Sequence, residues 1–118
     1  MSKTVKLGNG PEIKRIGYGT MQLPGKGVWG ESEDPAGAVE VLRKAVELGI
    51  DFFDTADSYG PFVAEDLLRE ALHPYDGITV ATKAGLIRTG PGEWHPVGRP
   101  EYLRFALEMS LRRLGVDQ

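Results

Sequence analysis

The sequence contains no cysteine among its 118 residues. That absence excludes a disulfide framework, a thiolate nucleophile and a zinc site built on cysteine, and we predict no metal site. The sequence also has no apolar run near the roughly 20 residues that a bilayer-spanning helix needs, and its N-terminus lacks an apolar signal core. We therefore predict a cytoplasmic protein with no membrane contact.

A block of basic residues is missing as well. The 14 Lys and Arg residues are interspersed among 17 Asp and Glu, and the formal net charge is −3. Nucleic-acid-binding proteins usually carry a basic patch or stripe, so we predict no nucleic-acid partner. With 41% hydrophobic residues, the chain has enough apolar material for one small domain, which we assign to residues 1–118.

The apolar residues follow two alternating patterns along the chain. Short apolar runs predict strands, and apolar residues at positions i, i+3, i+4 and i+7 predict helices. Strands that alternate with helices indicate an α/β fold with a parallel sheet covered by helices. The predicted strands are residues 15–22, 50–54 and 78–83, and the predicted helices are residues 35–48, 62–72 and 99–114.

Two further segments are predicted from their turn residues and length. Asn9 and Gly10 lie between short runs around Val5 and Ile13, and Asn-Gly predicts a β-hairpin with a type I′ turn. Residues 84–98 are predicted to be a long loop, and such a loop is uncommon unless it has a function. This loop carries Arg88, Trp94 and His95.

The loop at residues 23–34 contains a glycine pattern that resembles a dinucleotide-binding motif. Gly25 to Gly30 matches the spacing G-x-G-x-x-G, whose last glycine must lie in the first turn of a helix. Here the helix is predicted to begin about five residues later, with Asp34 as its N-cap and Pro35 at its first position. We interpret the match as accidental, and keep a doubly wound dinucleotide-binding domain as an alternative.

The end of the chain repeats an earlier junction between a helix and a strand. Leu114-Gly115-Val116-Asp117 has the same composition as Leu48-Gly49-Ile50-Asp51. Val116 is therefore predicted to open a fourth strand, and we expect the chain to end before that strand is complete. A sheet of so few strands has two open edges, which favour pairing with another chain. We predict self-association and low stability for these residues alone.

Two neighbouring predicted strands end in residues of opposite charge. Asp54 ends one strand and Lys83 ends the next. Because the ends of parallel strands lie at one face and adjacent strands are about 4.8 Å apart, the two can form an ion pair. Tyr59 follows on a loop short enough to fold back over that pair. An ammonium stabilises phenolate, so Tyr59 would serve as a general acid. The alternative is a structural ion pair with a packed tyrosine, with Asp57 capping a turn.

Several motifs resemble those of the aldo-keto reductase superfamily. Asp54-Thr55-Ala56-x-x-Tyr59-Gly60, preceded by Gly49-Ile50-Asp51-Phe52-Phe53, is similar to the signature of that family. The segments Gly17-Tyr18-Gly19-Thr20-Met21, Thr82-Lys83 and Leu111-Arg112-Arg113-Leu114-Gly115-Val116-Asp117 agree in order and spacing. The resemblance implies the N-terminal part of a (β/α)8 TIM barrel, about its first three βα units, with an N-terminal β-hairpin and truncated before the fourth strand.

The resemblance also implies an NAD(P)H-dependent oxidoreductase that reduces a small aldehyde or ketone. Tyr59 would protonate the carbonyl oxygen, Lys83 would make its proton easier to release, and Asp54 would pair with Lys83. NADPH, with NADH as the alternative, would be the cofactor, and Trp29 would line the substrate pocket. The residues implied at the cofactor are Gly19, Thr20, Met21 and Asp54.

The resemblance leaves two questions open. The family's catalytic histidine follows the fourth strand, and His95 follows the third, so we assign His95 no such role. Gly85 stands where several relatives have tryptophan, which points to the bacterial and channel-subunit-like branches. The alternative to an enzyme is therefore a non-catalytic or regulatory binding module, and the 118 residues alone are expected to be inactive.

Overall fold

In a computed structural model that describes residues 3–118, a three-stranded parallel sheet and three helices form the centre of the molecule. A two-stranded hairpin precedes this unit, and a second hairpin lies before the last helix. The strands are β1 Thr4–Lys6, β2 Glu12–Lys14, β3 Tyr18–Gly19, β4 Phe52–Asp54, β5 Thr79–Ala81, β6 Leu86–Gly90 and β7 Glu93–Pro96. The helices are α1 Pro35–Glu47, α2 Val63–Leu72 and α3 Pro100–Leu114.

The three helices confirm the sequence prediction to within one residue at each end. Asp34 caps α1, because its carboxylate accepts a hydrogen bond from the Gly37 N–H at 3.0 Å. Gly115 ends α3 with a φ of +77°, a left-handed conformation that glycine adopts without steric cost. No helix within residues 3–118 is long and apolar enough to cross a membrane.

The central sheet has the order β3-β4-β5, with both neighbouring pairs parallel. Side chains alternate between the two faces of a strand, so Phe53 points to one face of β4 while Phe52 and Asp54 point to the other. Phe53 is fully buried, whereas Phe52 and Asp54 are half-buried. The hydrophobic core consists of Ala38, Val39, Leu42, Ala45, Phe53, Val63, Leu67, Leu68, Leu72 and Leu114. The outer edges of β3 and β5 have no strand partner in the part of the chain that the structure describes.

All three central strands are shorter than predicted, and the fourth does not form among the described residues. The carbonyl groups at and just after the end of β5 accept hydrogen bonds from the loop that follows β4. The Thr55 N–H donates to Ala81 O at 2.8 Å, and the Asp57 N–H donates to Lys83 O at 3.2 Å. The backbone around Lys83 therefore contacts a loop instead of a strand. The Val116 N–H donates to Leu111 O at 3.0 Å, which closes the end of α3 and withholds that donor from a sheet.

The predicted type I′ turn in the first hairpin is wrong. Positive φ occurs at Gly8, at +56°, and not at Asn9 or Gly10. The pairing of Lys6 with Glu12 leaves residues 7–11 between the strands, which is too long for the two-residue loop of a type I′ turn. The hairpin itself is confirmed.

The predicted long loop at residues 84–98 is also wrong. Most of it forms the antiparallel hairpin of β6 and β7, with Ile87 opposite His95. Gly92, at a φ of +68°, turns the chain between the two strands. The prediction treated the Gly-Pro-Gly sequence at residues 90–92 as a sign of a loop, although such a sequence between two β-prone runs is equally typical of a hairpin turn.

Candidate active site

Asp54 and Lys83 form an ion pair at the carboxyl ends of β4 and β5. The Lys83 Nζ donates hydrogen bonds to Asp54 Oδ2 and to the Thr55 carbonyl oxygen, each at 2.8 Å. The side chain of Lys83 is 51% exposed and that of Asp54 is 41% exposed. Partial burial lowers the pKa of Lys83, but the hydrogen bond and charge of Asp54, together with Tyr59, outweigh it, so the pKa is raised. Lys83 therefore carries a positive charge at neutral pH.

Tyr59 lies against this ion pair on the loop between β4 and α2, residues 55–62, called the Tyr59 loop below. Its Oη is 3.5 Å from Lys83 Nζ, and Nζ lies 5.3 Å from the centre of its ring. The hydrogen bonds from Thr55 and Asp57 to the β5 end hold this loop beside Lys83. The structure thus brings together the three side chains that the sequence singled out.

An apolar cavity of about 300 Å³ opens beside Tyr59 and Lys83. That volume is at the lower end of the range for small-molecule sites, which combine apolar walls with a few polar groups. Tyr59 and Lys83 supply polar groups to its lining. The complete lining is Met21, Ala56, Asp57, Ser58, Tyr59, Lys83, Ala84, Leu86 and Trp94.

The residues expected at the cofactor are arranged around Asp54. Gly19 is opposite Asp54 in the pairing of β3 with β4, and a Cβ added to Gly19 would meet no atom within 4 Å. Thr20 is fully buried, and both its N–H and its hydroxyl donate to the Asp54 carbonyl oxygen at 3.0 Å. Met21 is 42% exposed and lines the cavity. Gly19 and Met21 are therefore open to a ligand, whereas Thr20 ties β3 to β4.

Trp29 lies outside the lining of this cavity. Its backbone forms a β-bridge with Gly60, and its ring is 5.5 Å from the Arg88 guanidinium. Trp94 and Leu86 line the cavity instead; the sequence analysis noted Trp94 on the loop after Lys83 without assigning it a role, and it missed Leu86. The signal that could have found them is the hairpin pattern at residues 86–96, because a hairpin directly after Lys83 can fold back over the strand ends.

Two other features of the sequence have separate explanations in the structure. His95 bonds to Thr89 Oγ1 at 2.8 Å within the β6–β7 hairpin and does not line the cavity. Gly30, the last glycine of the G-x-G-x-x-G match, precedes α1 by a loop, since α1 begins only at Pro35. The Gly30 N–H donates to Gly60 O at 2.6 Å, so it serves a contact between two loops.

A buried polar network that the sequence did not reveal lies behind the Tyr59 loop. Glu65 is fully buried and accepts hydrogen bonds from Arg113 Nε at 2.7 Å and from Thr82 Oγ1 at 2.8 Å. Asp57 is 5% exposed, and its Oδ1 has no partner among the described residues. Burial, and next the charge of Glu65, raise the pKa of Asp57 to about 6, against the opposing effects of Arg113 and the Ser58 N–H.

Comparison with known proteins reveals similar sequences over nearly the whole chain. This chain is 54% identical over 115 residues to an uncharacterized oxidoreductase of Schizosaccharomyces pombe. The aligned region covers 98% of this chain and 37% of that protein. The chain is 44% identical over 117 residues to pyridoxine 4-dehydrogenase of Escherichia coli, with 98% of this chain and 41% of that protein covered. The chain thus spans about two fifths of the length of these relatives.

Solved structures show the same fold. An aldo-keto reductase from Bacillus halodurans in its holo form matches with a TM-score of 0.79 and 31% identity, covering 98% of this chain and 37% of that one. An aldo/keto reductase from Klebsiella pneumoniae in complex with NADP and acetate matches with a TM-score of 0.71 and 26% identity, covering 99% and 37%. These likenesses confirm the predicted fold class, part of a (β/α)8 barrel with an N-terminal β-hairpin.

The family model for the aldo/keto reductase family matches residues 15–118. That range contains the ends of β4 and β5, the Tyr59 loop and all three helices. Because the match extends over most of the 118 residues, the chain belongs to the aldo/keto reductase family.

Proposed function

We propose that these residues supply the proton donor of a cytoplasmic, NAD(P)H-dependent reductase that converts a small aldehyde or ketone to an alcohol. One observation carries the proposal. Lys83 Nζ lies 2.8 Å from Asp54 Oδ2 and 3.5 Å from Tyr59 Oη, beside an apolar cavity. The names of the relatives support it, since they include a dehydrogenase and an aldo/keto reductase in complex with NADP.

Tyr59 would act as the general acid. Its hydroxyl would donate a hydrogen bond to the carbonyl oxygen of a substrate held in the cavity, and would transfer its proton as negative charge develops on that oxygen. The Lys83 ammonium would stabilise the phenolate that remains, because it lies 3.5 Å from the phenolic oxygen. Asp54 would orient Lys83 and keep it charged.

Gly19, Met21 and Asp54 would contact the nicotinamide ring of the cofactor. The space above Gly19 is open, and Met21 offers an exposed apolar side chain. When bound, the reduced nicotinamide of NADPH, or NADH as the alternative, supplies the hydride. Thr20 would hold the β3 backbone against Asp54 from behind. Trp29 would contact larger substrates at the cavity entrance, because its backbone pairs with Gly60, the residue after Tyr59.

The experiment measures NADPH oxidation in the presence of a small aldehyde. It uses the 118-residue chain and a graft in which these residues replace the matching part of the E. coli relative, which is 44% identical. We expect the chain alone to be inactive and the graft to turn over. In the graft, Tyr59→Phe should lower kcat by about 10²–10⁴-fold.

Tyr102→Phe is the matched control, because Tyr102 lies on α3 and does not line the cavity. This control should leave turnover unchanged. Full activity in the Tyr59→Phe graft would contradict the proposal. A graft that binds NADPH but reduces no aldehyde would favour a non-catalytic binding module instead.

A further inference from the structure

Arg88 lies where three segments around the cavity meet. Its Nη1 donates to Val28 O at 2.5 Å and to Ser58 O at 2.7 Å, and its Nη2 donates to Gly27 O at 2.8 Å. The remaining bonds stay within the hairpin, from Nη2 to Gly90 O at 3.3 Å and from Nε to Glu93 O at 2.7 Å. One guanidinium thus joins the loop before α1, the Tyr59 loop and the β6–β7 hairpin.

These contacts use the whole donor capacity of the side chain. An arginine has five N–H donors, and Arg88 makes five hydrogen bonds, all to backbone carbonyl oxygens. No ion pair among residues 3–118 includes Arg88. All five donors are thus directed at the protein backbone and none is left over for a ligand, which points to a structural role for Arg88.

The same guanidinium lies over the rings of both tryptophans of the sequence. Its central carbon lies 4.0 Å from the centre of the Trp94 ring and 5.5 Å from that of Trp29. Such contacts are attractive, because the face of an indole ring is electronegative. Trp94 lines the cavity beside Tyr59, so Arg88 also contacts one wall of the cavity.

The bond to Ser58 connects Arg88 to the proposed general acid. The Ser58 carbonyl belongs to the peptide group that continues into Tyr59, and Ser58 is buried. The backbone of Tyr59 itself makes two bonds of moderate length: its N–H donates to Ala56 O at 3.3 Å, and its carbonyl oxygen accepts from the Ala64 N–H at 3.1 Å. A displacement of about 1 Å at a reacting group can lower a rate about 100-fold. The bond from Arg88 to the Ser58 carbonyl therefore matters for proton transfer from Tyr59.

We propose that Arg88 is a positioning residue, which fixes the Tyr59 loop and holds Trp94 as a wall of the cavity. Its effect on turnover rests on the proposed function, whereas its effect on the loops does not. Lysine could not replace it, because a single ammonium lacks the planar fork that reaches three segments at once.

The test compares Arg88→Met and Arg88→Lys in the 118-residue chain, with Arg99→Met as the control. Arg99 is 77% exposed and pairs only at the surface, with Glu101. Arg88→Met should accelerate amide hydrogen exchange at Gly30 and Gly60 by about 10-fold or more, while exchange at Leu42 in the core of α1 stays unchanged. Arg88→Lys should restore little of this protection.

A fluorescence measurement follows Trp94 directly. In a Trp29→Phe background, Arg88→Met should increase acrylamide quenching of Trp94, and Arg88→Lys should recover part of the shielding because it keeps a cation near the ring. In the grafted enzyme, Arg88→Met should lower kcat about 10-fold to 100-fold with the KM for NADPH unchanged.

The proposal is overturned if exchange and quenching in Arg88→Met equal those in Arg99→Met. It is also overturned if Leu42 exchanges faster to the same extent as Gly30 and Gly60, since Arg88 would then stabilise the whole fold and position nothing in particular. An inactive wild-type graft would contradict the proposed reductase, and exchange and quenching in the chain would still decide the role of Arg88.

Discussion

Replacing Asp57 with asparagine should stabilise the protein, and only above a defined pH. Asp57 is 5% exposed, and one of its carboxylate oxygens has no hydrogen-bond partner among the described residues. The ionisable groups that influence it are Glu65, which disfavours its charge, and Arg113, which favours it. On α3, burial and the charge of Asp57 raise the pKa of Tyr102. Asparagine keeps the shape of the side chain and removes the buried charge.

The magnitude follows from the pKa of Asp57, which is about 6 in the folded chain instead of 3.8. At a pH between 3.8 and about 6, Asp57 keeps its proton in the folded protein but has released it in the unfolded chain. Stability therefore falls as the pH rises from about 4 to about 6, and is constant above that range. The loss at pH 7 amounts to at most about 3 kcal/mol, and Asp57→Asn should recover up to that amount.

The assay is urea unfolding of the wild type and of Asp57→Asn at a series of pH values. Asp76→Asn serves as the control, since Asp76 is exposed. We expect the free energy of unfolding of Asp57→Asn to exceed that of the wild type at pH 7, and the difference to vanish near pH 4. A difference that does not depend on pH, or a destabilised Asp57→Asn at pH 7, would refute the argument from burial.

Two further predictions concern the buried ion pair and the open sheet. Arg113→Met should lower the free energy of unfolding by about 3–5 kcal/mol, because it leaves the fully buried Glu65 without its charge partner. Adding Glu65→Gln should recover part of that loss in urea unfolding, and no recovery would contradict this origin. The 118-residue chain should self-associate through the open edges of β3 and β5, so its sedimentation should depend on concentration. A monomer at all concentrations with one sharp thermal transition would contradict that prediction.

The helices could be predicted from local patterns, and the relation between Asp54, Lys83 and Tyr59 could be predicted from the strand order that those patterns imply. Apolar periodicity, the Asp34 cap and the terminal Gly115 act within a few residues, so they are visible in the sequence. The closeness of Asp54 to Lys83 follows from a general property of parallel sheets, whose neighbouring strands end at the same face. For these features the order of residue types along the chain was sufficient.

Contacts between distant parts of the chain could not be predicted, and they determine the rest of the site. Arg88 bonds to Val28, 60 residues away, and Arg113 bonds to Glu65, 48 residues away. Such partners are chosen by packing and by the need to satisfy buried donors and charges, and no local pattern records either requirement. For the same reason the sequence indicated a ligand-binding tryptophan in the loop before α1, whereas only the tertiary structure placed Trp94 beside Tyr59.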